Sequence, residues 1–250
     1  MMKNNDARFA AKTCVPANGA GVKPAGDWII LCDFDGTISC RDVTDFLLDR
    51  FGLPGYEALE QEWEEGRIGS RQCLQGQIAL LQMRAADLDA SLEQIDIDPD
   101  FAAFVAQAEA EGVPLHVVSD GLDYAIHHIL GRHGLAHLPV LANHLVATGP
   151  DSWRLEFPHA AASCLQASGN CKCACTDRVR RPGRRVLFIG DGTSDFCAAG
   201  VADVVLAKDK LIQHCETRGI PHFPIRSFAE ARALLPHILL TERDAVRATA

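Results

Sequence analysis

The sequence lacks a long hydrophobic run. No stretch approaches the roughly 20 apolar residues that a membrane-spanning helix needs, and residues 1–26 hold no apolar segment of the length that a secretory signal requires. We therefore expect a cytoplasmic protein with no membrane partner, and we interpret residues 1–26 as a loose N-terminal extension. In such a compartment the ten cysteines are expected to be reduced thiols rather than disulfides.

Basic residues are also in short supply. The chain has 24 Lys+Arg against 33 Asp+Glu, a net charge of -9, which argues against a nucleic-acid partner. Its 250 residues are 48% hydrophobic, enough for a sizeable core in one domain or in one domain that carries an insertion. The composition leaves the oligomeric state open between monomer and homodimer.

Three predicted strands run directly into polar turns, and helical patterns separate them. The strands and their turns are 28–32 with 33–37, 113–118 with 119–121, and 184–189 with 190–195. Further β-like runs are 139–146 and 153–157, which suggest a hairpin, 201–206 and 220–225; helical segments lie at 43–51, 56–65, 70–83, 86–94 and 101–112. The alternation predicts an α/β fold, a doubly wound parallel sheet covered on both faces. Because parallel strands end at the same edge, we expect the polar turns to meet there.

The turn after the first strand places two carboxylates close together. Asp33 and Asp35 repel each other unless a cation lies between them, which indicates a metal, and Mg2+ suits carboxylate and carbonyl oxygens. Thr37 offers a hydroxyl and an amide to an anion. Ser119 opens a predicted helix, where its hydroxyl and the backbone amides form a phosphate-binding spot. An N-cap serine without a ligand explains the second pattern equally well.

The motifs DFDGT, VSDG, the lysine of CKC, and GDGTSD occur in this order between residues 28 and 207. Together they resemble the haloacid dehalogenase superfamily. The flanking sequences are most similar to its subclass IB, which holds phosphoserine, phosphoethanolamine/phosphocholine and methionine-salvage phosphatases. The resemblance implies a Rossmann-like core at 27–40 and 99–250 and a small helical cap of the first (C1) type at 41–98.

The resemblance also implies roles for individual residues. Asp33 would be the nucleophile that becomes an aspartyl phosphate, and Asp35 the general acid and base. Mg2+ would be held by Asp33, the backbone carbonyl of Asp35 and Asp191, with Asp195 orienting these ligands from outside. The residues assigned to the substrate are Thr37, Asp42, Ser119, Asp120, Gly121, Lys172 and Ser194. Lys208 and Lys210 are rivals to Lys172 as the phosphate-binding lysine.

The predicted activity follows from these assignments. Asp35 favours phosphate-ester hydrolysis, because superfamily members that cleave carbon–halogen bonds lack this carboxylate. We expect a Mg2+-dependent phosphatase that acts on a small phosphorylated metabolite, with the methionine-salvage ester as first candidate. The alternatives are phosphoserine, phosphoethanolamine or phosphocholine as substrate, a phosphotransferase that uses the same aspartyl phosphate, and a non-enzymatic binding protein. Asp42 lies where phosphoserine phosphatases place a longer glutamate that contacts the amino group of the substrate.

A cysteine-rich segment is a separate feature. Cys171, Cys173 and Cys175, with Cys164 and His159, supply enough soft ligands for zinc. Their C-x-C-x-C spacing departs from the usual C-x2-C arrangement, and thiols that pack as small hydrophobic groups explain them as well. The sequence therefore leaves a metal at these cysteines open.

Overall fold

Strand β1 (Trp28–Cys32) lies at the centre of the sheet. The structure is a computed structural model that describes residues 27–164 and 166–240, so the predicted N-terminal extension, residues 1–26, lies outside it. The other strands are β2 (Leu115–Leu122), β3 (Val140–Ala147), β4 (Trp153–Glu156), β5 (Arg185–Gly190), β6 (Val204–Ala207) and β7 (His222–Pro224). Within the described residues they form one seven-stranded sheet in the order β4-β3-β2-β1-β5-β6-β7.

The pairing matches a doubly wound fold. β1 pairs in parallel with both β2 and β5, and β6 and β7 continue the sheet in parallel. Only β4, among the described strands, runs antiparallel, because the short connection after β3 returns it as a hairpin. The prediction of a parallel sheet with one hairpin is confirmed.

Helices cover both faces of the sheet. They are α1 (Val43–Phe51), α2 (Tyr56–Glu64), α3 (Ser70–Ala79), α4 (Ala85–Leu92), α5 (Phe101–Ala110), α6 (Asp123–Arg132), α7 (Lys172–Val179), α8 (Phe196–Ala199), α9 (Asp209–Arg218) and α10 (Phe228–Leu240). None of these helices, within residues 27–164 and 166–240, combines the length and apolarity needed to cross a membrane.

The side chains of β1 point alternately to the two faces of the sheet, which explains why a hydrophobic core lies on each face. Ile30 and Cys32 face the core that contains α5, α6 and α10, whereas Ile29 and Leu31 face the core that contains α7, α8 and α9. Successive residues of a strand point to opposite faces, so an apolar strand with helices on both sides buries every side chain. Each such side chain contributes roughly 1.5–3 kcal/mol when fully buried.

Helices α1 to α4 form a single excursion between β1 and α5. An antiparallel bridge between Ser39 and Ile97 joins the two ends of this segment, and a second bridge joins Gly52 to Leu81. Asp42 starts α1, since its Oδ1 accepts a hydrogen bond from the Asp45 amide at 2.9 Å. The predicted helices are confirmed to within a few residues, and we refer to α1–α4 as the helical insertion.

The segment after β2 corrects one prediction. Ser119 was expected to open a helix, but β2 continues through Leu122 and α6 begins only at Asp123. The register against β3 shifts between Val118 and Leu122. The side-chain Nδ2 of Asn170 donates to the carbonyl of Ser119 at 2.9 Å, which helps to hold the backbone extended. The helix N-terminus proposed as a phosphate-binding spot is therefore not at Ser119.

Candidate active site

The turn after β1 is built around one glycine. The amides of Ile38 and Ser39 both donate to the carbonyl of Phe34, at 2.8 and 2.9 Å, which folds the chain back sharply. Gly36 has a φ of +71°, and a Cβ there would lie 2.6 Å from Asp191 Oδ2. Both the conformation and the space require glycine, so this turn brings the first motif against the loop after β5.

Lys172 is the charged centre of the site. It begins α7, its side chain is only 1% exposed, and its Nζ lies 2.7 Å from Asp33 Oδ1 and 2.6 Å from Asp195 Oδ1. Nζ also donates to Ser194 Oγ at 2.9 Å. Burial by itself would lower the pKa of Lys172, but the charges of Asp195 and Asp33 outweigh it and raise the pKa. The lysine is therefore a fixed positive charge beside Asp33.

Three carboxylates meet beside this lysine. Single oxygens of Asp33, Asp191 and Asp195 lie within 4.8 Å of one another. Burial, and then the charge of Asp195, raise the pKa of Asp33 well above its usual range, and burial also raises the pKa of Asp191. Three carboxylates against one lysine leave two negative charges uncompensated. A divalent cation neutralises that charge, and these hard oxygen donors fit Mg2+.

Asp195 and Thr37 position the carboxylate of Asp191. Asp195 is fully buried, and its Oδ2 accepts from the amides of Asp191 and Gly192 at 2.9 and 3.1 Å. Thr37 donates its hydroxyl to Asp191 Oδ1 at 2.6 Å, and its amide donates to the Phe34 carbonyl. The hydroxyl and amide of Thr37, predicted to bind an anion, are therefore engaged within the protein.

Asp35 turns away from the three carboxylates. It accepts hydrogen bonds from the Val43 amide at 2.9 Å and from Ser119 Oγ at 3.3 Å. Burial raises the pKa of Asp35 to about 6. A Cβ on Gly121 would lie 2.3 Å from Asp35 Oδ2, so glycine makes room for this carboxylate. The side chain of Asp35 is therefore held by Val43 and Ser119, apart from the three-carboxylate group.

The predicted substrate residue Asp120 lies at the same site, where its carboxylate is also engaged within the protein. Its Oδ1 accepts from the Asn170 amide at 2.7 Å and from Asn143 Nδ2 at 3.1 Å, and its Oδ2 accepts from Ser70 Oγ at 2.7 Å. The carboxylate thus joins β2, the segment before Lys172 and the helical insertion. Sequence reasoning missed both asparagines, although Asn170 stands two residues before Lys172 and its polarity could have marked it.

The pocket above these residues has a volume of about 520 Å³. Its floor is the site just described, and its walls come from the helical insertion and the start of α9. Desolvation, and then the charge of Asp35, raise the pKa of Asp42 to about 7, and desolvation raises that of Asp45 to about 6. The wall residues are Asp42, Thr44, Asp45, Glu60, Trp63, Glu64, Ser70, Cys73, Leu74, Gln77, Asp209 and Lys210.

The rival lysines Lys208 and Lys210 occupy other positions than Lys172. Lys208 Nζ donates to the backbone carbonyls of Gly36 and Thr37, at 3.3 and 3.1 Å, so it holds the turn after β1. Lys210 lies in the pocket wall. Lys172, by contrast, contacts Asp33 directly, and the structure brings the predicted residues Asp33, Lys172, Asp191, Ser194 and Asp195 together.

Together, the fold and the site place three carboxylates and one buried lysine at the carboxyl edge of the parallel sheet of an α/β protein. The model of the haloacid dehalogenase-like hydrolase family matches residues 30–200, and the chain belongs to this family.

Sequence relatives narrow the class further. The chain is 30% identical to a 2-hydroxy-3-keto-5-methylthiopentenyl-1-phosphate phosphatase of Geobacillus kaustophilus, over 80% of this chain and 91% of that protein. It is 31% identical to a protein of the same name from Exiguobacterium sp., over 82% of this chain and 96% of that one. Within its family, therefore, the chain is a phosphoric monoester hydrolase.

Solved structures agree at the level of the fold. A substrate-bound phosphoserine phosphatase superimposes with a TM-score of 0.65 at 19% identity, covering 84% of this chain and 98% of that one. A phospho-aspartyl intermediate analogue of phosphoserine phosphatase also gives a TM-score of 0.65, with the same coverage and identity.

Proposed function

We propose that the chain hydrolyses a small-metabolite phosphate monoester through a phosphoryl group carried transiently on Asp33. The observation that supports this most directly is the buried contact of Lys172 with Asp33 at 2.7 Å. A fixed positive charge beside a carboxylate offsets the negative charge that accumulates on the phosphoryl oxygens during transfer. Ser119 and Ser194 line the same pocket, and in this proposal their hydroxyls contact the phosphoryl oxygens.

Asp35 can transfer the proton in both steps of the proposed reaction. The carboxylate of Asp33 attacks phosphorus, the bond to the ester oxygen breaks, and protonated Asp35 gives its proton to the leaving alkoxide. Asp35, now ionised, takes a proton from water as the water attacks phosphorus, and the bond to Asp33 breaks to release phosphate. A pKa of about 6 keeps both forms of Asp35 accessible near neutral pH.

Mg2+ is the proposed cofactor. Members of this superfamily generally use it, and the acidic group has the charge and donor atoms for it. Asp33, Asp191 and the backbone carbonyl of Asp35 would hold the ion, with Asp195 fixing the Asp191 loop through its two amide hydrogen bonds. When bound, the ion supplies positive charge to the phosphoryl oxygens and removes the repulsion between Asp33 and Asp191.

The helical insertion is proposed to act as a cap over this site, with the boundaries 41–98. Its residues form the upper wall of the pocket. Ser70, at the start of α3, donates to Asp120 at 2.7 Å, and the amide of Arg71 donates to the carbonyl of Ala167 at 3.1 Å. These bonds join the insertion to the core on one side of the pocket, and closure there keeps bulk water from the phosphoryl group.

The first candidate substrate is 2-hydroxy-3-keto-5-methylthiopentenyl-1-phosphate. Its support is the printed name of relatives that match over nearly their whole length. A second candidate class is an aminoalkyl phosphate such as phosphoserine or phosphoethanolamine. Asp42, Asp45, Glu60 and Glu64 line the pocket wall with Trp63, and carboxylates with an aromatic ring favour a cationic leaving group.

A comparison of substrates distinguishes the two classes. Equal concentrations of the methionine-salvage ester, phosphoserine, phosphoethanolamine and phosphocholine are assayed for released phosphate in Mg2+. The first candidate predicts the highest kcat/KM for the methionine-salvage ester. If an aminoalkyl ester is preferred instead, Asp42→Asn should lower its kcat/KM and leave that of a neutral ester nearly unchanged. Phosphate that passes to an added alcohol rather than to water would indicate a phosphotransferase.

Replacing the nucleophile tests the mechanism itself. Asp33→Asn should abolish turnover of p-nitrophenyl phosphate while far-ultraviolet circular dichroism stays unchanged. Asp87→Asn is the matched control, because Asp87 pairs with Arg84 on the surface of the insertion. Unchanged activity in Asp33→Asn would contradict the proposal.

A further inference from the structure

Four cysteine sulfurs lie in a row beside the start of α7. The Sγ atoms of Cys171 and Cys173 are 3.3 Å apart. Cys164 is a side-chain neighbour of Cys171 at one end, and Cys197 is a side-chain neighbour of Cys173 at the other. We call Cys164, Cys171, Cys173 and Cys197 the thiol row. None of them takes part in the proposed reaction.

The membership of the row differs from the grouping expected from sequence. Cys175 lies apart and donates to Asn170 Oδ1 at 3.1 Å. Two positions along a helix are separated by about 200° around its axis, so Cys173 and Cys175 of α7 point to different sides. His159 Nδ1 faces Arg178 Nη1 at 3.3 Å. The fourth thiol is Cys197 of α8, which only the tertiary structure brings in.

Packing alone does not account for the thiol row. Cysteines that serve as small hydrophobic groups are buried, as Cys32 and Cys215 are here. Three members of the row, all except Cys171, are partly exposed, and none of the four belongs to either hydrophobic core cluster. Neighbouring thiols from three chain segments, none in a disulfide, form the donor set that soft cations prefer.

We propose that the thiol row binds one thiophilic divalent cation, with Zn2+ as the expected ion. Four thiolates surround Zn2+ tetrahedrally at about 2.3 Å, which places the sulfurs about 3.8 Å apart. The 3.3 Å contact of Cys171 and Cys173 is close to this spacing. The four sulfurs are not yet this close together: within the described residues, only the three carboxylates form a group whose ligand atoms all lie within 4.8 Å of one another. Binding therefore draws Cys164, on a turn, and Cys197, on a one-turn helix, inward.

The position of the row gives the ion a structural consequence. Lys172 lies between two of the proposed ligands, and Cys197 stands two residues after Asp195. A bound cation joins the start of α7 to α8 and to the loop that holds Cys164. It thereby fixes both ends of the contact between Lys172 and Asp195, which is 2.6 Å long.

A spectroscopic titration tests the proposal on the full-length chain. Protein that has been reduced, stripped of metal and returned to excess Mg2+ is titrated with Cd2+, whose thiolate complexes absorb in the ultraviolet by charge transfer. We expect this absorption to rise to an end point at one ion per chain. Cys171→Ser/Cys173→Ser should abolish it, whereas Cys40→Ser, at an exposed thiol outside the row, should not.

Two further measurements remove the remaining ambiguities. Asp191→Asn should keep the charge-transfer end point, because the carboxylates are a separate site. Ellman titration of the unaltered protein under native conditions needs no variant: Zn2+ should protect the thiols of the row from the reagent. Absence of the absorption in the unaltered protein, its persistence in the double variant, or thiols that Zn2+ leaves fully reactive would each overturn the proposal. The proposal would also be overturned if the purified protein held a Cys171–Cys173 disulfide and took up no Cd2+ after that disulfide had been reduced.

Discussion

Replacing Lys172 by methionine tests the buried ion pairs at the centre of the site. Methionine occupies a similar volume without the charge. The lysine contacts Asp33 at 2.7 Å and Asp195 at 2.6 Å, and the three side chains are 1%, 6% and 0% exposed. Removing one partner of a buried ion pair costs roughly 3–5 kcal/mol, because the other charge stays buried without compensation. We expect the free energy of unfolding to fall by about this amount at neutral pH.

The loss should depend on pH. Without the lysine, burial and the charge of Asp195 raise the pKa of Asp33 further. A carboxyl group whose pKa is higher in the folded than in the unfolded chain takes up protons on folding. Its destabilisation is absent below the unfolded-state pKa of about 3.9 and grows as pH rises through the folded-state value. The variant should therefore be less impaired at about pH 5 than at about pH 8.

Urea unfolding followed by circular dichroism measures the effect. Lys210→Met, an exposed lysine of the pocket wall, is the matched control and should change the free energy of unfolding by no more than about 0.5 kcal/mol. The kcat of Lys172→Met should fall by roughly 10²–10³ through lost stabilisation of the phosphoryl charge. A Lys172→Met protein within about 1 kcal/mol of the unaltered chain at both pH values would refute this account of the ion pairs.

Other perturbations address the rest of the site. Asp35→Asn should lower the turnover of alkyl phosphates by roughly 10²–10⁴. Stopped-flow kinetics with p-nitrophenyl phosphate should still show a burst of p-nitrophenol, since that leaving group needs no acid. Equal losses for both esters without a burst would exclude Asp35 as the general acid and base. Gly121→Ala places a Cβ 2.3 Å from Asp35 Oδ2 and should lower kcat/KM by roughly 10², whereas Gly131→Ala, with open space around it, should not; equal activities would contradict this. In a metal chelator, the midpoint of urea unfolding should fall as pH rises from about 4 to 7, because burial raises the pKa of Asp33 and Asp191 above their unfolded-state values. Added Mg2+ should remove this pH dependence of the midpoint. Identical unfolding curves with and without Mg2+ would argue against the metal site.

Much of the fold was predictable from local sequence. Three apolar runs each lead into a polar turn, and the first of these turns holds two carboxylates. This pattern predicts strands whose ends meet at one edge of a sheet, because strand period and turn chemistry are local properties of the sequence. The helices of the insertion follow from apolar spacing for the same reason. The failure at Ser119 has a tertiary cause: side chains from distant segments, such as Asn170, satisfy an extended backbone that the local pattern assigned to a helix.

The roles of individual polar residues were less accessible. Lys172 and Lys208 both stand near polar turns in the sequence, and only the packed structure shows that one contacts Asp33 while the other holds the backbone of Gly36 and Thr37. Asp120 lines the pocket, and only the packed structure shows that its carboxylate also joins the insertion to the core.

The sequence by itself determined the order of strands and helices, the carboxylates that end the first strand and the kind of chemistry they support, because each depends on neighbours along the chain. The tertiary structure decided which lysine pairs with Asp33, that Cys197 rather than Cys175 completes the thiol row, and that Asp42, Asp45 and Glu60 share one pocket wall. Those outcomes depend on which side chains meet across the packed elements, and no local sequence pattern specifies which distant residues come into contact.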